Sequence, residues 1–387
     1  MKATDKPPLV QRMNPPTYIY IHFPLHQILH HSNQKHFSTI SYFKISHFSI
    51  SKMGFSQFTL LLLVQLSLIN LCLGTRKLNS LYQPPPMSLT YHKGDLLEGN
   101  LPISILWYGD FSPTQKSIVS DFLLSLNPQN QQQQKQNPSV SNWWNTIQIY
   151  VKKAGKKQTN VVVANQVSDN NYSFGKKLTK SQISKLAHVA NSKPGGLTLV
   201  LTAQDVAVEG FCMSNCGFHG SDTKLKSAFI WIGNSVTQCP GQCAWPFHKP
   251  IYGPQTTPLG APNGDVGLDG MIVNLASLLA GTVTNPFGNG YFIGLAGAPL
   301  EAASACPGVY GKGAYPGYAG ELLVDSVTGA SYNGFGVSGR KYLLPALFDP
   351  NTSQCSTIVW ESAEMYTRGF WSWLFSCLYC IYISTCA

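Results

Sequence analysis

The spacing of hydrophobic positions changes several times along this chain, and each change marks an element. Ile103 to Tyr108 (ISILWY) is a continuous apolar run closed by Gly109-Asp110, the pattern of a buried strand. Ser112-Pro113-Thr114-Gln115 follows it and predicts a helix start, with a hydroxyl at the N-cap, proline at the first helical position and Gln115 able to reach back to the cap. Ile118, Val119, Phe122, Leu123 and Leu126 then recur on one helical face. A strand, a tight turn and an amphipathic helix in that order predict an α/β domain.

The stretch Asn127 to Pro138 (NPQNQQQQKQNP) offers nothing to bury and is predicted to be a loop. Helical spacing returns at Trp143, Trp144, Ile147 and Tyr150, and Val161 to Val163 begins a second strand. Thr179 with Gln182 repeats the capping box ahead of Ile183, Leu186, Ala187 and Ala190, and Pro194-Gly195-Gly196 closes that helix. Leu197–Thr202, Val206–Val208 and Ala228–Ile232 read as further strands. Beyond Cys243, Gly and Pro crowd the segments 246–270 and 286–320, so loops should dominate there. Between them, 266–283 is one strong helix, with Met271, Ile272, Leu275, Leu278, Leu279 and Thr282 in a broad stripe, expected to be the buried central helix.

The two ends do not share this patterning. Six of the ten histidines fall between His22 and His47, among residues with no core periodicity, so 1–52 is expected to be a spurious extension. Phe58 to Leu73 is an apolar run of 16 residues, short against the span of about 20 that a bilayer needs, and it ends at small residues, Cys72 and Gly74. Residues 53–74 therefore read as a signal peptide cleaved near Gly74, although no Lys or Arg follows Met53 in its leading region. Residues 75–102 read as an extended Pro-rich arm, 103–359 as one domain, and 360–387 as an atypical apolar tail resembling read-through, with a lipid-anchor or tail-anchor signal as the alternative.

Export changes how the cysteines are read. Once Cys72 and the tail cysteines are set aside, Cys212, Cys216, Cys239, Cys243, Cys306 and Cys355 form an even set, expected in an oxidising compartment to make three disulfides in any of the pairings open to them. Zinc binding by the two C-x3-C pairs is the disfavoured alternative, and Pro240-Gly241 should turn the chain so that Cys239 and Cys243 approach. Asn171 and Asn351 head N-x-S/T sequons and are candidate glycosylation sites on exposed loops. From 75 to 359 there are 20 Lys and Arg against 14 Asp and Glu. Lys152, Lys153, Lys156 and Lys157, and Lys176, Lys177, Lys180 and Lys185, form clusters that suit either a solvated face or an acidic polymer.

Motifs of catalysis are weak. His219, Ser221 and Asp222 are near neighbours in one segment, which suits a polar loop beside a disulfide better than a triad assembled from separate elements. Gly334 to Gly339 matches GxGxxG but lacks the preceding strand and following helix of a dinucleotide site, so a flexible turn is expected. Asp265 and Asp269 suit the start of the central helix as caps. No HExxH, GxSxG or P-loop is present. Trp245, Tyr252, Tyr291, Tyr310, Tyr315 and Tyr318 lie in Gly/Pro-rich loops, where their rings either roof a core or contact glycan.

Several separated blocks carry a resemblance. Leu89-Thr90-Tyr91-His92-Lys93-Gly94, Trp107 to Ser112, Gly233-Asn234, Gln238 to Pro246, Pro262 to Gly267, Ala305 to Gly308 and Tyr315 to Gly320 resemble, in order, the EXORDIUM-like, phosphate-induced protein family of plants over about Leu89 to Val359. The resemblance implies a secreted glycoprotein of the apoplast and cell wall that supports cell expansion and growth, linked to brassinosteroid response, acting by binding and with no catalytic residues, cofactor or metal to carry across. The expected partners are a cell-wall polysaccharide or an extracellular protein, with no nucleic acid and no stable membrane insertion. A wall-polysaccharide hydrolase with an unrecognised site is the alternative. The expected fold is α/β: a single domain with a central mixed sheet flanked by helices and a Gly/Pro-rich, disulfide-stapled C-terminal half. The strand and helix order also resembles that of zinc peptidases, with Asn274, Ser277 and Leu278 where metal ligands would sit, so a degenerate form of that fold is a further expectation.

Overall fold

The protein is described from a computed structural model, covering residues 87–128, 136–190, 195–213, 215–295 and 297–358. The expected N-terminal extension and leader, residues 75–86 of the Pro-rich arm and the apolar tail lie outside the described residues.

The continuous apolar run near residue 103 becomes the spine of the molecule. Strand β1 (Asn100–Tyr108) is buried along nearly all its length, and it pairs in parallel with β2 (Asn160–Asp169) on one side and β3 (Leu197–Thr202) on the other. β5 (Ser227–Gly233) adds in parallel beyond β3, and β4 (Gly217–Asp222) closes that edge antiparallel, for an order β2-β1-β3-β5-β4. The sheet is mixed. Its two central strands read as uninterrupted hydrophobic sequence because both faces are covered.

Four helices cover it. α1 (Pro113–Ser125) begins in the expected capping box: Ser112 Oγ accepts from the Gln115 amide, and Gln115 Oε1 accepts from the Ser112 amide at 3.0 Å. α2 (Val140–Lys153) buries Trp143, Trp144, Ile147 and Tyr150. α3 (Lys180–Ala190) has its own reciprocal cap, Thr179 with Gln182. α4 (Val266–Thr284) starts at the Asp265 cap, whose Oδ1 accepts from the Leu268 amide. Gln115 Nε2 donates to the other oxygen of Asp265 at 2.8 Å, so the caps of α1 and α4 are clasped together. From β1 the chain winds outward to β2, then back across the sheet to β3. A right-handed crossover in each direction puts α3 on the face opposite α1 and α2, where it packs on β1, β3 and β5. α4 lies with α1 and α2 and covers β4 and β5.

Among the described residues α4 is long and apolar enough to cross a membrane, and most of it is buried inside the protein. It is a core helix, sealed all round by the sheet, by its neighbours and by the loop-rich half.

Several expectations need correction. The stretch 87–102, read as part of the arm, supplies Leu89, Leu96, Leu97 and Leu101 to the core, and Thr90–Tyr91 pairs with Tyr291–Phe292. Four leucines at these spacings give no helical or strand periodicity, so their burial was invisible locally. Val206–Val208 does not join the main sheet; Ala207–Val208 pairs with Lys177–Leu178. The segment with His219, Ser221 and Asp222 is not a polar loop but edge strand β4. Its glycines conceal it. A Cβ on Gly217 would lie 2.5 Å from the Trp231 carbonyl oxygen and 2.7 Å from Leu278, so only glycine lets this edge lie close to β5 and α4 at once. The GxGxxG stretch is a packed hairpin: Gly334–Phe335 pairs with Lys341–Tyr342 around the turn Val337–Gly339. Arg340 then bonds Asp121 and Ser117 of α1.

Among the described residues, the half beyond Cys243 contains α4, the short turn Val337–Gly339 and otherwise ladders of two or three residues. Side chains and disulfides replace the missing backbone ladders. Buried Asn333 donates to the Tyr310 and Leu344 carbonyls and accepts from the Leu344 amide, so one amide side chain joins three strands of loop. Gly320, at φ +98°, packs directly on Gly311, an approach that no side chain at either position would allow.

Candidate functional site

The six central cysteines pair as Cys212–Cys239, Cys216–Cys243 and Cys306–Cys355. The Pro240–Cys243 segment forms one helical turn that brings the Cys239 and Cys243 sulfurs to 3.7 Å, as the Pro-Gly turn predicts, yet each bonds across to the segment before β4. Two C-x3-C segments are thus laid side by side as a two-rung ladder. Asn274 of α4 anchors it from beneath, donating to the Cys243 carbonyl and to Gly270 O, and Gly270 lets Ala244 approach the helix.

The ladder forms one wall of a cleft of about 940 Å³. Loops 250–254, 307–309 and 314–317 form the others. Trp245, Tyr252 and Tyr315 line it, with Met213, Ile251 and Gln242 among them. Tyr252 is 88% and Tyr315 64% exposed, and Tyr318 stacks near Tyr315 with ring centroids 5.1 Å apart. Trp245 is half-buried, held by Tyr310 beneath it and by Gly308 against its ring. The glycines and prolines of these loops keep the rings in place without regular structure to hold them.

The structure divides the six loop aromatics. Trp245, Tyr252, Tyr315 and Tyr318 gather at or beside the cleft. Tyr291 and Tyr310 are buried and roof the core, the first of the two readings and not the glycan-contact one: Tyr291 meets the Tyr150 ring edge-on, and burial raises the hydroxyl of each above its usual range. What separates the two groups is long-range packing, which local Gly/Pro composition does not encode. The cleft residues the sequence reading missed, Met213 and Ile251, carry one signal, a large apolar side chain directly after Cys212 in one case and after Pro250 in the other.

The other places where chemistry was sought hold satisfied polar groups. His219 Nε2 lies 3.1 Å from both oxygens of Glu301, which also accepts from buried Asn285. Ser221 and Asp222 are on the same strand as His219 and form no triad with it. At the carboxyl ends of β1 and β3, where the winding direction reverses, Asp205 accepts from both Tyr172 and Lys176. The adjoining sequon residue Asn171 and the other, Asn351, are both exposed. Asp265 caps α4 as expected, while Asp269 does not cap. It is buried and accepts from the backbone and side-chain nitrogens of Asn263, and burial pushes its carboxyl up to about 7. On α4, Ser277 bonds Val273 and Leu278 packs at Gly217, and among the described residues no group of three metal-ligating side chains comes together.

The conserved region described as phosphate-induced protein 1 matches residues 89–358, nearly all of the span the structure describes. The chain belongs to this family. Protein PHOSPHATE-INDUCED 1 of Nicotiana tabacum is 57% identical over 313 residues, covering 79% of this chain and 99% of that protein. Protein EXORDIUM of Arabidopsis thaliana is 53% identical over 304 residues, 76% of this chain and 96% of its own length. Protein EXORDIUM-like 6 of the same plant is still 32% identical over 297 residues, 67% of this chain and 89% of that protein. No solved structure matches. The EXORDIUM-like relationship spans both halves of the fold, so the ladder and the cleft loops lie within the shared region.

Proposed function

We propose that this plant growth-related protein is secreted to the apoplast and cell wall, and supports cell expansion by binding a wall polysaccharide at the aromatic cleft. The family names fit a role in plant growth. Three disulfides support an oxidising, extracellular setting. The carrying observation is the cleft itself: Tyr252 and Tyr315 project where an unbound surface should hide them, and flat rings with polar tips suit the faces of sugars. No Ser, Asp, Glu or His lines it among the described residues, which favours binding over hydrolysis. The link to brassinosteroid response belongs to the same proposal. So does descent from a zinc-peptidase-like fold: α4 is long and buried, with Asn274, Ser277 and Leu278 in place of ligands, and stoichiometric zinc in the purified protein would overturn it.

Incubation with a panel of wall glycans tests the function. Retention of a glycan without release of shorter products supports the binder. Release of products would make it a hydrolase.

A further inference from the structure

We infer that the cleft takes an uncharged stretch of glycan, its hexose rings laid on Tyr252 and Tyr315, in preference to uronate chains. The inference rests on the reading of the cleft as a polysaccharide site and names its substrate class. Among the described residues, no Asp, Glu, Lys, Arg or His lines the cleft. A polyuronate carries a carboxylate on each ring, and with no cation lining the cleft to pair it, that charge adds nothing to the ring contact and weakens it where half-buried Trp245 takes a carboxylate partly out of water. A neutral hexose has no such penalty. Its C–H face lies on an aromatic ring while its hydroxyls meet neutral polar groups, and the polar side chains present are of that kind: the Gln242 amide, the tyrosine hydroxyls and the Trp245 indole.

The basic side chains are placed elsewhere. Lys152 and Lys153 complete the C-terminal turn of α2, where they complement the helix dipole, and Lys153 donates to the Pro350 carbonyl. Lys156 pairs with Glu98, and Lys176 with Asp205. None of these lysines lines the cleft; Lys249 and Lys312, both exposed, adjoin its loops without lining it, and the attraction the basic side chains exert on acidic polymers is a separate, salt-screened effect.

The test sets the purified protein against neutral gluco-, xylo- and manno-oligosaccharides and against an oligogalacturonate. A neutral probe should bind with little change as salt is raised from about 0.05 to about 0.5 M. Its affinity should fall about tenfold or more in Tyr252→Ala and in Tyr315→Ala. Both side chains are exposed, so melting temperature should stay put, and either variant alone suffices if the other folds poorly. Binding confined to the oligogalacturonate, lost in salt or in Lys152→Gln with Lys153→Gln and unchanged in the tyrosine variants, would overturn the inference while leaving a polysaccharide binder. Retention of none of the probes would overturn the binding reading beneath it.

Discussion

The half of the molecule before residue 234 and the half after it reach order by different physics. In the first, five strands and three helices are closed by backbone ladders, and the hydrophobic spacing of each element names its buried face. In the second, α4 is the one long element among the described residues, and the loops around it are held by a disulfide, by buried amide side chains such as Asn333 and by glycines at close approaches. The difference bears on function. A ladder-built half has little freedom to present rings to solvent, whereas Gly/Pro-rich loops pinned at a few points can hold Tyr252 and Tyr315 outward on a fixed base.

The contrast can be broken most sharply by removing the covalent pin. Replacing Cys306 and Cys355 together by serine opens a 49-residue link, and chain-entropy arguments put the cost at about 4 kcal/mol. Denaturant unfolding should show that loss, and amide exchange should rise mainly beyond residue 240; equal rises through β1 and β3 would mean the halves are not distinct. Truncation inside the sheet is the counterpart. Ile105→Ala, at a fully buried position of β1, should cost about 3 kcal/mol and lower the unfolding midpoint of the whole domain.

Asp269 supplies a further effect inside the second half, because it ties the Asn263 loop to α4. Its carboxyl is raised from 3.8 to about 7 by burial, so the folded state holds a proton that the unfolded state releases. Its contribution is full below about pH 4 and is lost as pH rises toward about 7. Melting temperature should therefore decline over that window, and Asp269→Asn should flatten the decline. A slope equally steep in the variant would assign it to other groups. Smallest is the exposed cap. Ser112→Ala should cost about 1 kcal/mol by removing one acceptor from the first turn of α1, read as a shift in the midpoint with an unchanged denaturant slope.

Local sequence was sufficient wherever the determining interaction is local. The capping boxes at Ser112 and Thr179, the apolar run of β1 and the stripe of α4 all depend on residues within a few positions of each other, and each occurs where its pattern predicts. The even cysteine set likewise follows from counting. Which sulfur meets which, that Gly217 to Asp222 forms an edge strand, and that Tyr291 turns inward while Tyr252 turns outward depend on partners tens of residues away. A residue in a Gly/Pro loop has no periodicity to declare its face, so its burial is set when β5, α4 and the disulfide ladder come together, and the cleft exists only after they have.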